Sequence, residues 1–292
     1  MASAMILAAG FGTRLQPLTL ELPKPLVWVG DRPAIAHIAE RLVAAGIEDL
    51  VINTHHRREA FSEEALSLIP GRLSILTEPS ILGTGGGVAN AASLLGDGDV
   101  VVWNGDILAP LDARELLRAH RGDATLVIAP RPRGEGTVGV GADGEVVRLR
   151  GERFGEEVTA GDFLGIYVLG AELRRTLPMP GCLIGEGLLP WLRRGRKARV
   201  FRADLTWDDI GSLRSYLRAN ARWLAGRAGD SFIGEGASLA PAVEVTGSVI
   251  GRGAVVRGEG KIEGCVIWPG ATAEAPLSRA VVTPGGKVVI DE

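Results

Sequence analysis

Between residues 5 and 225, short unbroken apolar runs alternate with segments whose apolar positions recur every three or four residues. Residues 5–9 form an apolar run that ends at glycine, the pattern of a strand buried on both faces. Ile35, Ile38, Leu42 and Ala45 then share one face of a helix, with Asp31 as the expected cap, Pro33 in the first turn and Gly46 as the stop. Residues 50–54, 73–76, 99–103, 124–129, 161–169 and 198–202 read as further strands. Residues 57–68, 88–95, 113–119 (capped by Asp112), 184–194 and 213–225 read as helices. Residues 138–140 and 145–149, separated by Asp143-Gly144, read as a hairpin. Strands and helices in alternation with short connections predict an α/β fold: a Rossmann-like mixed, mostly parallel sheet with flanking helices.

The pattern changes at Ser231. Ile233-Gly234-Glu235-Gly236-Ala237 returns as Ile250-Gly251-Arg252-Gly253-Ala254 and again as Ile267-Trp268-Pro269-Gly270-Ala271, each time after 17 residues. Single inward apolar residues between small turn residues are the mark of hexapeptide repeats, so a short left-handed β-helix is expected. Two domains follow: 1–226 as the α/β domain and 231–292 as the β-helix. All four histidines, His37, His55, His56 and His120, precede the repeat. A tail without histidine points to assembly or regulation, not to a second active site, and an uncapped β-helix is compatible with a homo-oligomer.

A net charge of −3 across 292 residues gives no general attraction for nucleic acid or anionic membrane, so any anion site must be local. No apolar run reaches the length of about 18 residues that a membrane span needs, and no basic-then-apolar leader opens the chain. A cytoplasmic protein is expected. Cys182 and Cys265 have neither disulfide-framework nor metal-ligand spacing and read as small apolar fillers.

The candidate chemistry begins where the first strand breaks into Gly10-Phe11-Gly12-Thr13-Arg14, with Lys24 ten residues further on. Glycine lets backbone N–H groups approach an anion, and two cations would complete a polyphosphate cradle. A second glycine segment, Gly83-Thr84-Gly85-Gly86-Gly87, precedes a helix, where anions are also favoured. Asp106 follows the strand ending at Trp103-Asn104-Gly105, at the carboxyl end of the sheet where α/β ligands bind. Trp207-Asp208-Asp209-Ile210-Gly211-Ser212 leads into the last helix.

Together, L-A-A-G-F-G-T-R-L…P-L-T…L-P-K-P-L over residues 7–26, L-G-T-G-G-G over 82–87, the G-D of Asp106, the F-L-G-I-Y strand over 163–167 and W-D-D-I-G-S over 207–212 resemble the sugar-1-phosphate nucleotidyltransferases. The matches run in order over residues 5–225. The resemblance implies that a nucleoside triphosphate and a sugar 1-phosphate give an NDP-sugar and pyrophosphate. It implies Arg14 and Lys24 as catalytic residues, Arg14 on the leaving phosphates and Lys24 between the α-phosphate and the sugar phosphate. Leu7, Ala8, Ala9, Gly10, Gly12, Thr13, Gly83, Gly85, Gly86 and Asn104 would hold the nucleotide, and Gly139, Gly165 and Glu186 the sugar. Asp106 and Asp209 would bind Mg²⁺, a hard cation suited to carboxylates and phosphates.

The sequence departs from the family at residues 148–153, where no Glu-Lys pair follows the hairpin and Glu152 is the available substitute. The glycine segment resembles both guanylyltransferases for mannose or heptose 1-phosphate and the uridylyltransferase for N-acetylmuramate 1-phosphate, and the tail favours the guanylyl type. A uridylyltransferase for N-acetylmuramate 1-phosphate, a thymidylyl or cytidylyl relative, and a catalytically inactive regulatory subunit stay open as alternatives.

Overall fold

The structure, a computed structural model, describes residues 3–290. The chain forms two compact units: Met1–Gly10 with Ile38–Trp207, and Phe11–His37 with Asp208–Glu292. This division does not follow the expected boundary at residues 226–231. The segment carrying Arg14 and Lys24, and the last helix, group with the repeat.

In the first unit, β1 (Ser3–Leu7) begins the chain, and α1 (Ala34–Ala44) leads back into this unit towards β2 (Asp49–Thr54) and β3 (Arg72–Thr77). α2 (Gly83–Asn90), β4 (Val100–Asn104), α3 (Ala113–Ala119) and β5 (Ala124–Arg131) follow. The unit ends with the β6 (Val138–Val140) and β7 (Val146–Leu149) hairpin, β8 (Thr159–Leu169), α4 (Leu189–Arg193) and β9 (Arg199–Arg202). β1 lies between β4 and β2 and is parallel to both, and β2 is parallel to β3. Ala4, Met5 and Ile6 are fully buried, as an apolar run with a neighbour on each edge requires.

β8 joins this parallel layer to an antiparallel one. Its last residues pair with β4, its first with β6, and β5 runs along it with a register slip between Phe163 and Tyr167. Gly165, at φ +75°, lies in the slip. A glycine there lets one strand bend to serve two partners. The sheet is therefore mixed, with its parallel part centred on β1.

Several expected elements are found as expected. Asp112 caps α3 by accepting from the Arg114 N–H at 2.8 Å, and β6–β7 is an antiparallel hairpin. Others differ. Asp31 does not cap α1; it pairs with Arg32 at 3.0 Å and Arg227 at 3.3 Å, in a turn between the short strands Trp28–Val29 and Arg32–Pro33. Residues 57–68 form a 3₁₀ turn, Arg58–Ala60, and a short helix, Glu63–Ser67, capped by Ser62.

The glycine segment 83–87 is the first part of α2, not a loop. Glycine disfavours helix by itself. Here the backbone of residues 180–183 packs so closely that a Cβ on Gly83 would lie 2.6 Å from the Gly181 carbonyl oxygen, and one on Gly86 would lie 3.1 Å from Pro180 Cα. Tertiary packing overrides propensity at a place where a side chain has no room.

In the second unit, α5 (Leu213–Ala225) is capped by Ser212 and Ser215 and precedes a stack of short parallel strands. Ile233 pairs in register with Ile250, and Ile250 with Ile267, so the 17-residue repeat is the structural repeat. A second face stacks Ser238, Val255 and Thr272 in the same way. Ile250 and Ile267 are fully buried, while Ile233, on the first coil, is exposed because no coil covers it on that side. An antiparallel strand, Gly286–Val289, closes the other end against Ala280–Thr283. Among the described residues, no helix is long and apolar enough to cross a membrane.

Candidate active site

In the first unit, the residues expected to hold the nucleotide surround the carboxyl ends of the parallel strands. Leu7 ends β1, and the N–H of Ala8 donates to Asn53 Oδ1 at 2.8 Å. Asn53 Nδ2 donates to Glu78 Oε1 at 2.7 Å, and the N–H of Leu82 donates to Glu78 Oε2 at 3.0 Å. Ala8, Ala9, Asn53 and Glu78 are all buried. This polar chain ties the ends of β1, β2 and β3 to the start of α2.

Gly87 makes room for the chain: a Cβ there would meet Asn53 Nδ2 at 2.9 Å and Glu78 Oε1 at 3.1 Å. Neither Asn53 nor Glu78 stood among the expected site residues. The available signal was a polar residue closing an apolar strand and an acid opening the glycine segment. Glu78→Ala is expected to cost about 2–4 kcal/mol, because it leaves one buried and one part-buried donor unsatisfied. A chemical unfolding curve checks this.

The remaining predicted residues of this unit fall into three groups. First, the N–H groups of Gly85 and Gly86 donate to the Gly181 carbonyl at 2.9 and 3.0 Å, so these glycines already serve a backbone contact. Second, Asn104 ends β4 with its buried Oδ1 accepting no hydrogen bond within the chain. A Cβ on Gly165 would lie 2.5 Å from Asn104 Nδ2, so Gly165 makes space for this amide. A buried acceptor without a donor is what a ligand hydroxyl satisfies. Third, Asp106 is half-buried in a turn fixed from both sides: Gly105 N–H donates to the Leu7 carbonyl at 2.9 Å, and Trp103 Nε1 donates to the Ile107 carbonyl at 2.9 Å.

Of the residues expected to hold the sugar, Gly165 thus lies against Asn104, while Gly139 and Glu186 lie elsewhere in this unit. Gly139 is covered by an ion pair: Arg148 Nε donates to Glu157 Oε2 at 2.8 Å, and a Cβ on Gly139 would lie 2.5 Å from that oxygen. Glu152, the substitute considered for the missing Glu-Lys pair, is engaged by Arg193 Nε at 2.9 Å. The acid beside Gly139 is Glu157. Glu186 accepts from the Cys182 N–H at 2.6 Å within the irregular helical turn Leu183–Leu188. Cys182 is not the apolar filler expected. It is half-buried, and its sulfur accepts from the Gly185 N–H and from Arg150 Nη2, each at 3.4 Å. Burial raises its thiol pKa, but these N–H groups and the Arg150 charge bring the net value below that of an ordinary thiol. Cys265 is buried as expected.

Arg148 holds the Glu157 carboxyl at about 2, against an opposing effect of burial and with help from the Gly134 N–H. A carboxyl depressed in the folded state adds stability that is complete above its unfolded value of about 4.3 and is lost as pH falls towards 2. Between pH 5 and pH 2, the melting temperature of Glu157→Gln is therefore expected to fall less than that of the wild type. Parallel melting curves against pH check this.

In the second unit, Gly12 turns at φ +64°, and its carbonyl accepts from the Leu15 N–H at 2.9 Å and from Thr19 Oγ1 at 3.0 Å. A Cβ on Gly12 would lie 2.8 Å from Thr19 Cγ2 and 3.2 Å from Lys24 Cβ, so glycine lets the loop fold against Lys24. Thr13 and Arg14 form the 3₁₀ turn that follows. Lys24 is buried along its stem, and its Nζ lies 3.4 Å from Asp209 Oδ1. Arg14 joins them: a Cβ on Gly211 would lie 2.9 Å from Asp209 Oδ1 and 3.2 Å from Arg14 Nη2. Lys24 and Arg14, 10 residues apart, thus both lie beside a carboxylate that is 185 residues beyond Lys24.

Asp208 faces the other way. It is buried, with Arg218 Nε at 3.0 Å and Arg222 as a second partner, and so anchors the Asp209 segment to α5. Among the described residues, no three His, Cys, Asp or Glu side chains gather as a metal cluster. Mg²⁺ held by one or two carboxylates and substrate phosphates does not require one.

A family model described as "Nucleotidyl transferase" matches residues 3–226. The chain is 32% identical to mannose-1-phosphate guanylyltransferase of Mycobacterium tuberculosis, over 93% of this chain and 81% of that protein. It is 31% identical to a probable mannose-1-phosphate guanylyltransferase of Oryza sativa, over 98% of this chain and 82% of that one. The crystal structure of HddC from Yersinia pseudotuberculosis, also solved with GMP-PN, superposes with a TM-score of 0.64 at 21% identity, covering 76% of this chain and all of HddC. A UDP-glucose pyrophosphorylase complexed with UDP-glucose gives 0.63 at 20% identity, covering 78% of this chain and all of that one. At such identities the likeness is one of fold. The family model and the two relatives carry the assignment: this chain belongs to the nucleotidyl transferase family.

Proposed function

We propose that the chain transfers a guanylyl group from GTP to mannose 1-phosphate or a closely similar sugar 1-phosphate, giving the NDP-sugar and pyrophosphate. The observation that carries the reading is the placement of Asp209 beside both cations, Lys24 Nζ 3.4 Å from its carboxylate and Arg14 sharing the surroundings of Gly211 with it, in a member of this family. The names of the relatives, mannose-1-phosphate guanylyltransferases in Mycobacterium and in rice, support the base and the sugar.

The chemistry suits these residue types. The oxygen of a sugar phosphate is ionised at neutral pH, so in-line attack on the α-phosphorus needs no strong base. The requirement is to hold two polyanions together and to offset charge as pyrophosphate leaves. Arg14 binds the departing phosphates with its planar guanidinium, and Lys24 supplies a point charge to the α-phosphate and the incoming phosphate. Asn104 offers its unsatisfied carbonyl to a ligand hydroxyl. Asp209, a partly exposed carboxylate, fits a hard divalent cation, and Asp106 is assigned with it from its motif position. Mg²⁺ bound there would screen the phosphate charges.

We read the stacked coils as a left-handed β-helix of hexapeptide repeats and the catalytic segment as residues 1–226. A cytoplasmic location agrees with the substrates. Pyrophosphate release measured with GTP, UTP, dTTP and CTP against a panel of sugar 1-phosphates tests the proposal. Rapid release is expected with GTP and a mannose-type sugar phosphate. Release with UTP alone would move the assignment to a uridylyltransferase, and no release with any pair would leave a regulatory subunit.

A further inference from the structure

The second unit holds the segment that carries Arg14 and Lys24, and its continuation to Gly30, through three sets of side-chain contacts, two from the coils and one from α5. Glu21 lies in that segment, between the two cations. Its carboxylate accepts from the Thr283 hydroxyl and from the Gly285 N–H at 3.1 Å, both in the hairpin that closes the coils. Gly285 is fitted to it: a Cβ there would lie 2.6 Å from Glu21 Oε1. Trp268, in the coil turn, donates from Nε1 to the Tyr216 hydroxyl at 2.9 Å, and that hydroxyl donates to the Trp28 carbonyl just beyond Lys24. Trp268 and Tyr216 are both buried. Finally, Asn220 Oδ1 accepts from the Gly30 N–H at 2.8 Å, and the Trp223 ring lies so close to Gly30 that a Cβ there would be 2.1 Å from it.

We infer that the C-terminal coils position Arg14 and Lys24, with Glu21, Thr283 and Trp268 as positioning residues. The catalytic roles of Arg14 and Lys24 rest on the reading above; the mechanical part does not. Residues 13–26 contain three single 3₁₀ turns and no α-helix or strand, so little within the segment itself fixes its shape. A carboxylate that accepts a hydroxyl and a backbone N–H is a strong fixed point in such a stretch. The tail therefore supports the segment that carries the two cations. This goes beyond the assembly or regulatory role suggested by its lack of histidine.

The test uses the full chain with Thr283→Val, Thr283→Ser and Trp268→Phe. Thr283→Val removes the hydroxyl at nearly constant volume, Thr283→Ser keeps it, and Trp268→Phe keeps a ring but loses the donor. Hydrogen exchange of the substrate-free protein is read at Leu15, Leu20, Leu22 and Leu26, whose N–H groups bond within the segment. In Thr283→Val and Trp268→Phe these amides should exchange about tenfold faster, the worth of one hydrogen bond to a charged group or a buried hydroxyl, while the amides of Ile250 and Ile267 stay unchanged. kcat/KM for the nucleotide should fall by a similar factor, and Thr283→Ser should restore both.

Unchanged exchange at the four leucines would overturn the inference. So would equal acceleration at Ile250 and Ile267, which would mean that the whole unit had loosened, and so would failure of Thr283→Ser to recover. If the wild type released no pyrophosphate, the exchange experiment would still decide the mechanical claim while the functional reading fell.

Discussion

Lys24→Ala is expected to lower kcat/KM by about 10²–10³-fold, the usual cost of removing one preorganised charge from a developing oxyanion. The structure gives reasons for so large an effect. The lysine stem is buried, and its Nζ faces Asp209 at 3.4 Å, so the ammonium is held in place before any substrate arrives. A fixed charge in a partly dehydrated setting is worth far more than a mobile one in water. Arginine would not substitute, because its wide planar fork cannot take the place of a compact ammonium. Lys24→Arg should therefore recover only a small part of the rate. Steady-state kinetics, with a circular dichroism spectrum to show an intact fold, provide the check. Near-wild-type turnover in folded Lys24→Ala would remove this lysine from the mechanism.

Asp209→Ala is expected to reduce turnover by at least about 10²-fold and to raise the metal concentration needed for half-maximal rate. Two effects combine. The variant loses an oxygen ligand of the proposed cation, and Lys24 loses the carboxylate that faces it. Titrating Mg²⁺ and Mn²⁺ separates them: metal dependence shifts only if the carboxylate touches the cation. An unchanged metal midpoint with reduced turnover would make Asp209 a partner of Lys24 alone. Asp208→Asn offers a contrast. It sits one residue away but points into the Arg218–Arg222 pair, so it should weaken the fold more than it alters the metal midpoint.

Much of this was legible in the linear chain. The bounds of Ala113–Ala119 and Leu213–Ala225 could be read because their caps are local: one Asp or Ser side chain bonds its own helix N-terminus. β1, β2 and β4 could be read because burial on both faces leaves an unbroken apolar run along each. Arg14, Lys24 and Asp209 could be singled out because each lies in a motif whose other members are its near neighbours in sequence.

What could not be read there is long-range. Gly83–Gly87 carries every local sign of a loop, yet it is helical because the backbone at residues 180–183 lies against it. Asp31 has the position of a helix cap, but two arginines take it, one of them 196 residues away. Asn53 and Glu78 looked unremarkable apart, since their meaning is the bond between them.

The sequence by itself determined the α/β class, the 17-residue period of the tail and the resemblance that singled out the charged residues. Each of these rests on periodicity or on short motifs, which depend on residues a few places apart. Only the tertiary structure decided that Arg14 and Asp209 share one glycine, that Asn104 keeps a buried oxygen without a donor, and that Glu21 is held by the last hairpin of the coils. The reason is physical. A hydrogen bond or a steric fit between residues 21 and 285 depends on how the intervening chain returns, and no local pattern records that path.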